Sequence, residues 1–238
     1  MSAFFYGVFL QWRLDIRSKA LLITCYVVPL LFFAVMGGIF TAVNPAAKDT
    51  LTQSMTVMGV SMGALIGLPP SLVEVYQSDI KKMYQANGVP LYLGLASMFL
   101  SAFVHLLLMS GIIYIAAPLA FGAAAPAQPL RYFAALALFI AASLGIGSAL
   151  GLAVKKQAKL TMISQLFFLP SIMLAGIMCP ADLLPRAFAA AGKLLPAAWG
   201  YLAMADGGLR PGNLWPLAAV LAAAALLCGA LLKRMQAE

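Results

Sequence analysis

Six apolar runs, each near the roughly 20 residues that a helix needs to cross a bilayer, leave this chain one broad class of fold. They fall at about residues 20–42, 51–73, 91–117, 132–154, 160–178 and 214–232. Hydrocarbon offers no partner to backbone N–H and C=O groups, so runs of this length fold as helices. Only 9% of the 238 residues are charged, against about 25% in a soluble domain. The expected fold is an all-α membrane protein: an interfacial helix over 1–19, then one six-span domain over 20–238.

The cations orient these spans. Arg13, Arg17, Lys19, Lys81, Lys82, Lys155, Lys156, Lys159, Lys233 and Arg234 fall on one side of a six-span arrangement. Lys48, Arg131, Arg186, Lys193 and Arg210 fall on the other. An excess of Lys and Arg marks the cytoplasmic side, which places both termini there. The net charge of +8 is thereby explained by topology and anionic lipid headgroups, with no nucleic acid implied.

The segments outside the spans carry pattern of their own. Phe5, Val8, Phe9, Trp12 and Ile16 make one helical stripe, with Gln11, Arg13, Asp15 and Arg17 mostly elsewhere, as in a helix lying in the membrane interface. Asp15 and Lys19 stand four apart, in the order that favours a weak ion pair. Leu183, Leu184, Ala187, Phe188, Ala191 and Leu194 recur at three- and four-residue steps between Pro180 and Pro196. That piece cannot span, so the spacing predicts a short outer helix that lies on the membrane or re-enters it. Tyr76, Ile80, Met83 and Tyr84 form a stripe in the longest inner loop, with Lys81 and Lys82 off it and Asn87-Gly88 as a stop. Gly59, Gly63 and Gly67 in the second span, and Ser143, Gly147 and Gly151 in the fourth, are small residues four apart. Such grooves admit a close neighbour, either within one subunit or from another.

Several chemistries are absent. There is no G-x-x-x-x-G-K-[ST], no H-E-x-x-H and no G-x-S-x-G. The acidic residues Asp15, Asp49, Glu74, Asp79, Asp182, Asp206 and Glu238 all fall in loops or at span edges, which argues against an ion-coupled carrier. His105, the sole histidine, reads as a hydrogen-bonded interior residue or a substrate contact. Cys25, Cys179 and Cys228 match neither a zinc site nor a disulfide framework and read as small apolar fillers. No catalytic, cofactor or metal residues are expected in the chain.

The order Gln165, Pro170, Ala175-Gly176, Pro180, Leu184-Pro185, Leu195-Pro196 and Trp199 resembles the fifth span and outer loop of ABC-2 type ABC transporter permeases. The resemblance implies a transport subunit with no ATPase site of its own. ATP and Mg would be held by two separate ATPase subunits, and the chain would pair with a second copy or a close homologue. It implies that Glu74, Tyr76, Asp79, Ile80, Lys81, Lys82, Met83 and Tyr84 form the coupling segment that docks on the ATPase. The interfacial helix with Phe5, Phe9, Trp12, Arg13 and Arg17 would touch the same partner, unless it is a plain membrane anchor. The second and fifth spans would wall an apolar path lined by Phe167, Phe168, Pro170 and Met173, with Leu183, Leu184 and Phe188 at its outer gate. That suits export of an amphipathic or lipid-like substrate, including drugs, across the inner membrane of a prokaryote. A six-span accessory protein that transports nothing is the alternative.

Overall fold

The computed structural model describes residues 3–177, 185–205 and 210–237. Helices α1 (Ala3–Arg17) and α2 (Lys19–Leu22) lead into a π-helical turn, Ile23–Val27, and α3 (Val28–Val43). A 3-10 turn, Pro45–Asp49, precedes α4 (Leu51–Met62), a second π-turn at Gly63–Gly67, and α5 (Leu68–Tyr76). Then follow α6 (Asp79–Ala86), α7 (Leu91–Phe121), α8 (Pro129–Ala153), α9 (Gln157–Leu174), α10 (Arg186–Gly192), α11 (Pro196–Ala205) and α12 (Pro211–Ala237). No strand occurs among the described residues.

Among the described residues, five segments are long and apolar enough to cross a membrane: Ile23–Val43, Leu51–Tyr76, Leu91–Phe121, Pro129–Ala153 and Pro211–Gln236. Helix α9 occupies the place of the expected fifth span. It has 18 residues, but Gln157, Lys159 and Gln165 dilute its apolar character. At 1.5 Å per residue the 31-residue α7 is about 46 Å long, well beyond a hydrocarbon core of roughly 30 Å. It stops at Gly122, whose φ of +61° suits a residue without a Cβ.

The second span is the axis of the bundle. Every residue of α4 is buried, the polar Thr52, Gln53, Ser54, Thr56 and Ser61 included. The glycines explain how neighbours close over it. A Cβ on Gly59 would lie 2.8 Å from Met109 Cε of α7 and 3.4 Å from Pro29 Cβ of α3. A Cβ on Gly63 would overlap Leu106 of α7, and one on Gly147 would overlap the carbonyl oxygen of Ala64. At Gly151 it would come 2.8 Å from Leu72 Cβ. Both glycine-bearing faces thus pack within the chain. Ser143 shares the buried face of α8, with no hydrogen-bond partner for its hydroxyl among the described residues. Across the same contact the Tyr132 hydroxyl donates to Thr56 Oγ1 at 2.9 Å.

One expectation needs correction here. The α4 part of the second span offers no wall to a path outside the chain, because α3, α7, α8, α9 and α11 enclose it, whereas its later part, from Ile66 to Glu74, lines a cavity. Residues Pro196–Ala205 form a ten-residue helix, too short to span, whose Ala197, Ala198, Gly200, Ala203 and Met204 are buried. Pro196 opens it at a first-turn position that needs no N–H donor. Gly200 lies directly beneath the Phe139 ring of α8, which a Cβ would overlap.

Candidate functional site

The two π-turns face one another. A Cβ built on Gly67 would lie 3.4 Å from both Cys25 Sγ and Thr24 Cγ2. A π-turn widens the helix by one residue and often marks a working region. Beside this pair opens a cavity of about 510 Å³, where the first and second spans meet the start of α9. Thr24, Ser71, Glu74 and Gln157 supply polar walls, while Leu21, Ile66, Pro70 and Val73 supply apolar ones. Glu74 is exposed and is the one acidic side chain in the lining. The cavity can therefore accommodate a molecule with one polar and one apolar part.

Next to it, α1 is fastened to the bundle by a buried polar cluster. Ser101 of α7 donates to Asp15 Oδ2 at 2.5 Å, and Gln11 Nε2 donates to Asp15 Oδ1 at 2.8 Å. The Tyr26 hydroxyl shares a 2.8 Å hydrogen bond with His105 Nδ1, and the Trp12 ring lies 6.4 Å from that of His105. His105 Nε2 and Trp12 Nε1 are buried with no hydrogen-bond partner among the described residues. This corrects the reading of α1. Trp12 turns inward with Gln11 and Asp15, and Asp15 bonds Ser101 rather than Lys19. A polar partner on α7 outweighs an exposed i,i+4 ion pair, which is worth only a few tenths of a kcal/mol. Phe5 and Phe9 remain exposed, with the Arg13 guanidinium 5.1 Å from the Phe9 ring centre, and Arg17 is exposed as well.

Burial pushes the Asp15 carboxyl above its ordinary 3.8, against the opposing pull of its bonds to Ser101, then Gln11, and the nearby His105. The protonated form is thus the one the fold favours. Its contribution is complete below 3.8 and is lost as pH rises through the elevated value. Thermal unfolding of the purified protein should accordingly shift downward as pH rises above about 4. Asp15→Asn, which cannot ionise, should flatten that slope. An unchanged slope would assign the titration to another group.

The inner loop is better resolved into roles than its stripe suggested. The Ser78 hydroxyl caps α6 by accepting from Ile80 N at 3.2 Å, and Gly88 ends the segment with a φ of +64°. Tyr76 does not point out to a partner: it is 2% exposed and donates to the Leu91 carbonyl at 2.6 Å. Tyr84 is half-buried and packs against Gly94. The aromatic members of the stripe therefore hold α6 to α7, because a tyrosine can bury its ring while its hydroxyl finds a carbonyl. Ile80 and Met83 are the large apolar groups left exposed. Asp79 and Lys82 pair on the surface at 2.8 Å, and that hydrogen bond holds the Asp79 carboxyl below its ordinary value. Lys81 is half-buried.

The path residues expected on α9 do not share a face. Phe168 is buried and Pro170 half-buried, while Phe167 and Met173 point outward with Met162 and Leu166. Ser171 donates to the Phe167 carbonyl at 2.6 Å, beside the gap that Pro170 leaves in the helical ladder. Leu183 and Leu184 lie outside the described residues, as do Cys179, Pro180 and Asp182. Phe188 on α10 and Leu194 after it are exposed. Helix α10 sits against the end of α9, where Gly192 packs on Leu174. The Trp199 indole N–H donates to the Lys193 carbonyl at 2.6 Å, tying the α10 end to α11. Cys25 and Cys228 are free and buried.

Sequence reasoning missed the Asp15–Ser101 contact, the facing π-turns and buried α11. Only α11 had a legible signal, in the small residues Ala197, Gly200 and Ala203 at helical spacing. A family model described as ABC-2 type transporter matches residues 3–207. No curated protein matches the sequence.

Proposed function

The chain belongs to the ABC-2 type transporter family, and on that premise we propose that it is the membrane-spanning permease subunit of an ATP-driven exporter. It works with a second copy of itself or a close homologue, and with two separate ATPase subunits that hold ATP and Mg. Its place is the inner membrane of a prokaryote, with six spans and both termini cytoplasmic. Helix α9 serves as the sixth spanning element, since its 18 residues reach about 27 Å.

Helix α6 is the observation that carries this reading. It is a capped amphipathic helix that lies between two spans, is anchored by Tyr76 and Tyr84, and leaves Ile80 and Met83 uncovered. A simple turn needs none of this. An apolar pair presented by a held helix fits a groove on a soluble partner. Movement of α6 passes directly into α5 and α7, the two helices it joins, and from α5 to the π-turn beside the cavity. The mixed lining of that cavity supports an amphipathic or lipid-like substrate entering from the inner side. Helices α10 and α11 then cap the outer end.

The test is purification of the tagged chain from its native membrane. A nucleotide-hydrolysing subunit with a Walker loop should accompany it in equal amount, and reconstituted inside-out vesicles should accumulate a fluorescent phospholipid analogue only with ATP. Recovery of the chain without such a subunit would favour the accessory-protein reading. ATP hydrolysis without accumulation of the analogue would leave the subunit assignment and remove the substrate class.

A further inference from the structure

A groove of about 400 Å³ lies on the bundle between α7, α8 and α12, away from the inner cavity. Leu95 and Phe99 of α7, Gly145 of α8, and Leu221, Ala225 and Gly229 of α12 form its walls. Along α12 the lining runs from Leu221 to Leu232, about 16 Å at 1.5 Å per residue. That is close to half of a hydrocarbon core of roughly 30 Å, the depth of one leaflet. Volume over length gives a section of about 25 Å². This is on the scale of one extended hydrocarbon chain and far below the section of a helix some 10 Å across.

Ser148 is the polar side chain along the α8 wall, and the exposed polar and charged groups gather at one end. Tyr92, at the start of α7, lines the groove and is 60% exposed. Lys233 follows the lining residue Leu232 and is exposed, with Arg234 beside it in the last turns of α12. The other end, at Gly145 and Leu221, lies near the middle of α12 and carries no charge. We propose that this groove holds one acyl chain of an anionic phospholipid from the leaflet on the α6 side, its phosphate facing the Tyr92 hydroxyl and Lys233. The chain is excluded from the bulk bilayer by the three helices, and the headgroup is selected by charge.

Photo-crosslinking in nanodiscs tests this with phosphatidylglycerol carrying a diazirine along its acyl chain. Adducts mapped by peptide mass spectrometry should concentrate on Phe99, Leu221 and Ala225 over the outward-facing Leu226. Even labelling of the two groups overturns the site. A Cβ at Gly229 meets nothing within 4 Å, so Gly229→Leu adds a side chain into the groove without displacing backbone. It should abolish the excess at Phe99 and preserve labelling of Leu226. Phosphatidylglycerol should outcompete phosphatidylcholine, and Lys233→Gln should reduce that preference about fivefold, the factor that one cation near an anionic surface supplies. Equal labelling by both lipids in the unaltered protein overturns the anionic selection. Should Gly229→Leu fail to purify as a single species, the map of the unaltered protein decides by itself.

Discussion

Gly147→Ala should lower the yield of folded protein and its unfolding temperature, although alanine is the better helix former. In a helix interior the exchange normally stabilises by up to about 1 kcal/mol. Here the added Cβ overlaps the carbonyl oxygen of Ala64, a backbone atom in the π-turn of the second span. Backbone cannot rotate away as a side chain can, so α8 must move off the second span. That separation also loosens Gly151 from Leu72 and stretches the Tyr132–Thr56 hydrogen bond. Overpacking of this kind costs about 1–3 kcal/mol and occasionally more. At roughly 2–4 °C per kcal/mol, the midpoint should drop by several degrees. Gly111→Ala is the matched control, because its Cβ meets nothing within 4 Å. The two substitutions are chemically identical and should move the unfolding temperature in opposite directions, or leave it level for Gly111→Ala. Equal behaviour in scanning fluorimetry would mean that α8 and the second span do not touch as described.

Ile80→Asp should abolish ATP-dependent transport without unfolding the chain. Ile80 is 37% exposed on α6, and its neighbour on that surface, Met83, is 62% exposed. Placing a carboxylate there leaves the Tyr76 and Tyr84 anchors untouched. It would leave a charge unpaired inside the proposed docking groove, where breaking complementarity costs several kcal/mol. The expected readout is normal membrane level and normal unfolding temperature, with loss of ATPase co-purification and of substrate-stimulated hydrolysis. Tyr76→Phe provides the contrast. It deletes the bond to the Leu91 carbonyl, worth about 0.5–1.5 kcal/mol, and should lower stability more than docking. Normal ATPase coupling in Ile80→Asp would remove α6 from the mechanism.

The fold class was legible because span length is a local property. Apolar runs of membrane-crossing length announce helices whatever surrounds them, and the five strongest runs appear as long helices. Their ends shifted by a few residues where caps, and not apolarity, decide, as at Phe121-Gly122. Partners were less legible. The spacing of Gly59, Gly63 and Gly67 announced a close neighbour but carried no record of Met109 and Leu106. The α1 stripe correctly gave a helix with exposed Phe5 and Phe9, yet Asp15 found Ser101, which is 86 residues away. No period in the sequence encodes that contact. For the same reason α11 was missed, since its burial depends on a gap beneath Phe139 that only packed helices create.

The enclosure of α4 has a consequence for how the chain is made. Thr52, Gln53, Ser54, Thr56 and Ser61 are all shielded in the finished bundle. Helix α3 supplies part of the cover, but the rest comes from α7, α8, α9 and α11, which are synthesised later. The last of these ends at Ala205, roughly 130 residues after the second span has emerged. At about 5–20 residues per second, that is a wait on the order of ten seconds. During it the most polar of the spans stands in lipid, or beside an insertion factor, with its hydroxyl and amide groups unprotected. Helix α11, the last of these covering helices to arrive, therefore completes the shelter of the second span, and its loss should be felt first as a failure of that span to stay inserted.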